Sequence, residues 1–164
     1  MILGLWHVSF TVSNLERSVE WYTKVLGLEY VRGQVQDNPY TRQLVGFPDA
    51  RLKVAQLRIP NMTVPLSRHH IELVEYERPR GTVVPLQTNS PGVGHWAFIV
   101  DNIHAEFARL KALGVQFKSS APNAIAEGVN RGGYTIYFLD PDGITLELLQ
   151  PPPEQGPVRS SRDS

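Results

Sequence analysis

His7-Val8-Ser9-Phe10-Thr11-Val12-Ser13-Asn14-Leu15 returns, at an offset of 88 residues, as His95-Trp96-Ala97-Phe98-Ile99-Val100-Asp101-Asn102-Ile103. His, Phe, Val and Asn recur in place, and each stretch runs into a helical pattern that stops at a glycine, Gly27 in one case and Gly114 in the other. A second echo follows at an offset of 75: His70-Ile71-Glu72-Leu73-Val74-Glu75 against Thr145-Leu146-Glu147-Leu148-Leu149-Gln150. Each half therefore opens on a His-bearing strand and closes on a Glu-bearing strand. A period of about 70 residues is too long for a solenoid repeat and indicates duplication of one supersecondary module.

Working outward, residues 3–12 alternate as a strand does. Asn14 is placed to cap the helix on which Leu15, Val19, Tyr22 and Leu26 recur, and Gly27 stops it. Residues 28–34, 50–59 and 67–76 read as three further strands. The second half repeats the order: strand 93–100, helix 103–113, strands near 115–119, 133–139 and 143–150, with Asp140-Pro141-Asp142-Gly143 as a turn joining the last two. The expectation is an α+β protein of two βαβββ modules, residues 1–76 and 93–150. Residues 77–92, with Pro79, Gly81, Pro85 and Pro91, form the linker. A proline-, serine- and arginine-containing tail, 151–164, is expected to be disordered beyond about residue 156.

Side chains alternate across a strand, so Trp6, Val8, Phe10 and Val12 share one face and Leu5, His7, Ser9 and Thr11 the other. In the same way Trp96, Phe98 and Val100 oppose His95, Ala97 and Ile99. Ile71 and Leu73 oppose His70, Glu72 and Val74, and Ile144, Leu146 and Leu148 oppose Thr145, Glu147 and Leu149. Four times a large apolar face, suited to pack under a helix, backs a mixed face carrying at least one His or Glu. Two such modules brought together point two imidazoles and two carboxylates at one spot. The chain has no cysteine, so disulfides and thiolate ligands are excluded and a metal site must use N and O donors. Imidazole and carboxylate suit Ni, Co, Mn, Zn or Fe(II). One such ion per chain, held by His7, Glu72, His95 and Glu147, leaves two octahedral positions for water or a bidentate substrate. It would stabilise an enediolate formed by removing a proton next to a carbonyl. Glu72 or Glu147 is the candidate base.

Other residues are weaker candidates. His69 is a weaker candidate still, while His70 points the same way as Glu72 and either lines the pocket or lies on the surface. His104 is expected to be solvated. Arg131, in Asn130-Arg131-Gly132-Gly133, either anchors an anionic substrate or belongs to an ordinary turn. Tyr40 and Arg42 lie in a long connection that could cover the site. Sixteen Lys+Arg against sixteen Asp+Glu give a formal charge of zero, which offers no electrostatic case for nucleic acid or an anionic membrane. No apolar run approaches the ~20 residues of a membrane span. The first residues lack the basic segment and long apolar core of a signal peptide, so a cytoplasmic location is the default expectation.

Asn14-Leu15-Glu16-Arg17-Ser18-Val19-Glu20-Trp21-Tyr22-Thr23-Lys24-Val25-Leu26-Gly27, then Gly94-His95, then Asp140-Pro141-Asp142-Gly143-Ile144-Thr145-Leu146-Glu147-Leu148, resemble the vicinal oxygen chelate superfamily over roughly residues 3–150. That superfamily includes glyoxalase I, methylmalonyl-CoA epimerase, extradiol dioxygenases, and fosfomycin and bleomycin resistance proteins. The resemblance implies paired modules forming a cupped mixed sheet around the metal with helices outside, a small substrate bearing vicinal oxygens, and a homodimer. The glyoxalase and epimerase types use four ligands, at positions that match His7, Glu72, His95 and Glu147. Ring-cleaving dioxygenases bind iron at positions matching His7, His95 and Glu147 only, and bleomycin-binding members generally lack the set. This ordering favours a lyase or isomerase. An Fe(II) dioxygenase is the runner-up, and a ligand-sequestering resistance-type protein is the third reading. Bacterial glyoxalase I usually has an arginine four residues after the first His, where this chain has Thr11, so the resemblance does not carry a glutathione substrate to this chain.

Overall fold

The computed structural model describes residues 7–60 and 70–153. The expected strand residues 3–6 and 67–69, His69 among them, and the tail beyond residue 153 lie outside the described residues. The chain divides into two compact units between Val84 and Pro85.

The first unit runs β1 (His7–Thr11), α1 (Leu15–Lys24), β2 (Glu29–Gln36), α2 (Pro39–Val45), β3 (Arg51–Arg58) and β4 (His70–Arg78). The second runs β5 (Trp96–Ile99), α3 (Ile103–Ala112), β6 (Asn123–Ala124), β7 (Tyr134–Leu139) and β8 (Thr145–Gln150). Each unit is a four-stranded mixed sheet, ordered β1-β4-β3-β2 or β5-β8-β7-β6. The His-bearing end of each unit pairs in parallel with its Glu-bearing strand, and the remaining pairs are antiparallel. The fold is α+β, as the sequence predicts.

The first helix of each module begins by the same means. Asn14 Oδ1 accepts from Arg17 N and Asn102 Oδ1 from Ala105 N, at 2.8 and 3.0 Å. Such a cap contributes about 1 kcal/mol by satisfying a donor that the helix itself cannot. A second orphan donor is met from the sheet: Leu15 N donates to Glu75 Oε2 and Ile103 N to Gln150 Oε1, each at 2.8 Å. Glu75 and Gln150 are the matching last residues of the sequence echo, so the repeat carries the helix-to-sheet tie as well as the site. They share a strand face with Ile71 and Leu73, or Leu146 and Leu148, and so fix each helix over the apolar side. There Leu15 and Tyr22 bury with Ala55, Leu57, Ile71 and Leu73, and Ile103 and Leu110 with Ile136, Phe138, Leu146 and Leu148. Glu75 is the more buried of the two acceptors and is a carboxyl rather than an amide. Its replacement by Ala is expected to destabilise the first unit by about 1.5–3 kcal/mol, against about 1 kcal/mol for Gln150→Ala. Urea unfolding midpoints of the two variants check this order.

Three details depart from expectation. Residues 115–119 form no strand. They make only an isolated bridge, Phe117 to Phe138, and β6 takes the edge position. Pro122 lacks a ladder donor, while Ser119 Oγ bonds Ala121 O and Asn123 Nδ2 bonds Ser119 Oγ, local bonds that compete with strand pairing. The connection from β2 to β3 holds a helix, α2, started by Asn38 and Pro39 and ended by Gly46 at φ 76°. Finally, β4 runs to Arg78, two residues into the expected linker.

Helix α2 lies on the opposite face of the first sheet from α1. Its Val45 packs with Leu52, Val54, Val74 and Tyr76, and Phe47, just beyond it, meets Tyr76 edge-on at 6.1 Å. Asp37, beside its start, takes Arg42 at 2.5 Å, Arg51 at 3.1 Å and Arg78 at 3.3 Å. Hydrogen bonds from Arg51 and then Arg42 hold the Asp37 carboxyl below its ordinary range. Leu52, Val54, Val74 and Tyr76 share the Glu72 face, so α2 covers part of the surface on which the candidate ligands stand.

Candidate metal centre

Register explains why two different offsets describe one arrangement. Ser9 pairs with Glu72, and Ala97 with Glu147. In both units the His stands two residues before the partner of the Glu, on the same face of the sheet. His95 immediately precedes β5 rather than lying within it, because regular pairing starts at Trp96. On β4 and β8 the apolar faces behave as read: Ile71, Leu73, Leu146 and Leu148 are buried, while Glu72 and Glu147 are part-exposed on the other side; Val8, Phe10, Trp96 and Phe98, by the first and fifth strands, are only half-buried.

The result is two half-sets. In the first unit His7 Nε2 stands 3.6 Å from Glu72 Oε1, and Gln56 Nε2 donates to Glu72 Oε2 at 3.0 Å. In the second, His95 Nε2 stands 3.0 Å from Glu147 Oε2, while Thr135 Oγ1 donates to Glu147 Oε1. Each carboxylate thus has one oxygen held by the neighbouring strand and the other turned to the imidazole. Among the described residues no group of three or more His, Asp or Glu gathers at one point. Among the described residues each unit brings one candidate imidazole and one candidate carboxylate together.

Gln56, Thr135 and Tyr137 were not singled out from the sequence. Gln56 and Tyr137 are the cross-strand partners of Glu72 and Glu147, so register is the signal that finds them. The Tyr137 hydroxyl lies 3.4 Å from His95 Nε2, with ring centroids 4.9 Å apart. Burial, and then the Glu147 carboxylate, raise the Tyr137 phenol above its ordinary value, so it stays protonated at neutral pH.

The other sequence candidates fall as follows. His70 is buried and pairs in register with His7, on the Glu72 face. It is not a surface residue. Thr11 is exposed on that face, paired with Val74. Arg131 is exposed in a turn closed by Arg131 N to Gly128 O and Gly133 N to Asn130 O. His104 is exposed, its ring edge-on to Tyr134 at 5.0 Å. Tyr40 and Arg42 belong to α2, with Tyr40 exposed and Arg42 paired to Asp37.

The chain is a duplicated α+β module with one imidazole and one carboxylate on the same sheet face in each copy. The chain belongs to the Glyoxalase/Bleomycin resistance protein/Dioxygenase superfamily, whose sequence model matches residues 4–148. Among curated relatives it is 32% identical to a 2-epi-5-epi-valiolone epimerase from Actinomyces sp, over 89% of this chain and 78% of that one. It is 28% identical to a probable lactoylglutathione lyase from Vibrio parahaemolyticus, over 88% of each. A solved glyoxalase family protein from Bacillus cereus shares the fold with a TM-score of 0.74 at 18% identity, covering 93% of this chain and 96% of that one. Among the described residues no helix is long and apolar enough to cross a membrane.

Proposed function

We propose that this protein is a divalent-metal-dependent enzyme with lyase or isomerase chemistry on a small compound bearing vicinal oxygens, and that His7, Glu72, His95 and Glu147 hold the ion. The observation that carries the proposal is the geometry of the two His–Glu pairs, with nitrogen-to-oxygen distances of 3.6 and 3.0 Å. Donors about 2.1 Å from one ion and at right angles to each other stand about 3 Å apart, so the His95–Glu147 pair matches one edge of a coordination shell, while the His7–Glu72 pair stands wider and would close by about half an ångström on an ion. The donor set, two imidazoles and two carboxylates without sulfur, suits Ni, Co, Mn, Zn or Fe(II). The two half-sets meet when one module of each kind faces the other, in one chain or across two copies in a homodimer. A linker of about 16 residues reaches roughly 50 Å at ~3.3 Å per residue and permits both arrangements.

When bound, the ion supplies a Lewis acid that stabilises negative charge on a substrate oxygen. The chain's own residues supply the rest. Glu72 and Glu147 are the two candidate bases for a proton on the carbon beside a substrate carbonyl. Returning that proton to a different carbon, or to the other face of the same carbon, is the isomerase outcome. Gln56 and Thr135 hold the two carboxylates in place. An epimerase and a lyase among the relatives support this class of reaction, and Thr11 in place of an arginine argues against glutathione as the anchor.

The test is metal-free protein reloaded separately with Ni, Co, Mn, Zn and Fe(II), then given small hydroxylated carbonyl compounds in D2O. Deuterium entering beside the carbonyl, read by NMR and dependent on the added ion, is the expected result. Activity restricted to iron, with oxygen uptake on a catechol, would replace this reading by the ring-cleaving dioxygenase. Absence of metal binding would favour a ligand-sequestering protein.

A further inference from the structure

Four strands of the first sheet carry one continuous polar rung: Arg32 on β2, Gln56 on β3, Glu72 on β4 and Ser9 on β1, each in register with the next. Arg32 Nε donates to Gln56 Oε1 at 2.9 Å, and Gln56 Nε2 donates to Glu72 Oε2 at 3.0 Å. We propose that Arg32 and Gln56 are positioning residues that act in series on Glu72, tying down its Oε2 so that Oε1 alone is presented to the ion; this rests on the metal-centre reading above.

Three observations support the assignment. An amide has one accepting and one donating end, so a guanidinium fixed at the oxygen of Gln56 forces the NH2 toward Glu72. Gln56 is buried, only 7% exposed, with both ends used, so it has no alternative partner in water. The third is a bulge. The pairing of β2 with β3 passes from Tyr30–Leu57 directly to Arg32–Gln56, skipping Val31. Regular pairing would set Val31 opposite Gln56; the extra residue sets a cation there. Bulges commonly re-aim a side chain in this way beside functional sites. Gly33 permits the close packing that follows, since a Cβ there would meet the Tyr30 hydroxyl at 2.5 Å and Val54 O at 3.0 Å. The second unit divides its carboxylate oxygens in the same manner with a single hydroxyl, Thr135, so the purpose is common to both halves and the cation is particular to the first.

A partner that orients a ligand typically accounts for about 10–100-fold in metal affinity. The experiment is a double-mutant cycle on the full chain, with Co(II) affinity read by competition with a chromophoric chelator and by the cobalt absorption band. Gln56→Leu is expected to weaken Co(II) about tenfold or more and to change the band. Arg32→Ala, at an exposed position, is expected to weaken it by a smaller factor. In the Gln56→Leu background Arg32→Ala should have little further effect, because its hydrogen-bonded route to Glu72 is gone. Additive losses, or single variants that bind Co(II) as the wild type does with an unchanged band, overturn the relay while leaving the metal centre standing. A wild-type chain that binds no Co(II) overturns both. If Gln56→Leu does not fold, Arg32→Ala alone decides: unchanged affinity and band overturn the proposal.

Discussion

Replacing His95 with Ala is expected to remove the divalent ion, and His7→Ala is expected to do the same. Each histidine is one of the two proposed donors of its unit, paired to Glu147 or Glu72 at 3.0 and 3.6 Å. Losing a donor atom should exceed the ~10–100-fold that loss of a supporting hydrogen bond costs. Both side chains are more than a third exposed or close to it, 39% for His95 and 35% for His7. Neither is a packing residue of the core, so the fold should survive both changes, and an unchanged circular dichroism spectrum is the control. Elemental analysis of the two purified variants reads the outcome. Full occupancy in both would contradict the site. Loss in one alone would leave that residue's unit as the true centre.

Replacing the proton-moving carboxylate with its amide is expected to lower turnover by about 10²-fold or more while metal still binds. Glu72→Gln and Glu147→Gln keep an oxygen donor in place and remove charge and basicity, so they separate holding the ion from moving the proton. The two must be measured side by side, because each carboxylate has the same arrangement: one oxygen anchored by Gln56 or Thr135, the other turned to a histidine. In the lyase or isomerase reading at least one of them loses turnover without losing metal. In the dioxygenase reading Glu72 is only a pocket residue, and oxygen uptake with a catechol should largely survive Glu72→Gln. Robust uptake in that variant would sink the proposed function.

The repeat made much of this legible. His7 and His95, and Glu72 and Glu147, stood out because duplication left them at matching positions on strands whose opposite faces are strongly apolar. The turn at Asp140 was equally plain, and there Asp140 Oδ1 accepts from Asp142 N and Ile144 N at 2.9 and 2.8 Å. What stayed hidden depends on pairing between strands. Gln56, Thr135 and Tyr137 lie on β3 and β7, where the two halves have no sequence echo, and only register puts them beside a carboxylate. The bulge that brings Arg32 opposite Gln56 has no local signature either. Helix α2 was a different failure. Asn38, Pro39 and Gly46 are ordinary start and stop signals, but seven residues are too few for an apolar period to stand out. Val115 and Phe117 gave the opposite error, an alternation too short to outweigh the Ser-Ser-Ala-Pro that follows.

In the proposed function two half-sets of donors, one from each module, make one metal centre. The most direct test is the metal content of the full chain purified without chelators and dialysed against metal-free buffer, by elemental analysis against amino-acid analysis of the same sample. About one transition-metal ion or zinc per chain is the expected result, from four N/O donors sharing a single shell. Two ions per chain would mean that each His–Glu pair binds separately, and none, even after reloading, would mean that the four residues do not form a metal centre; either result contradicts the single shared centre.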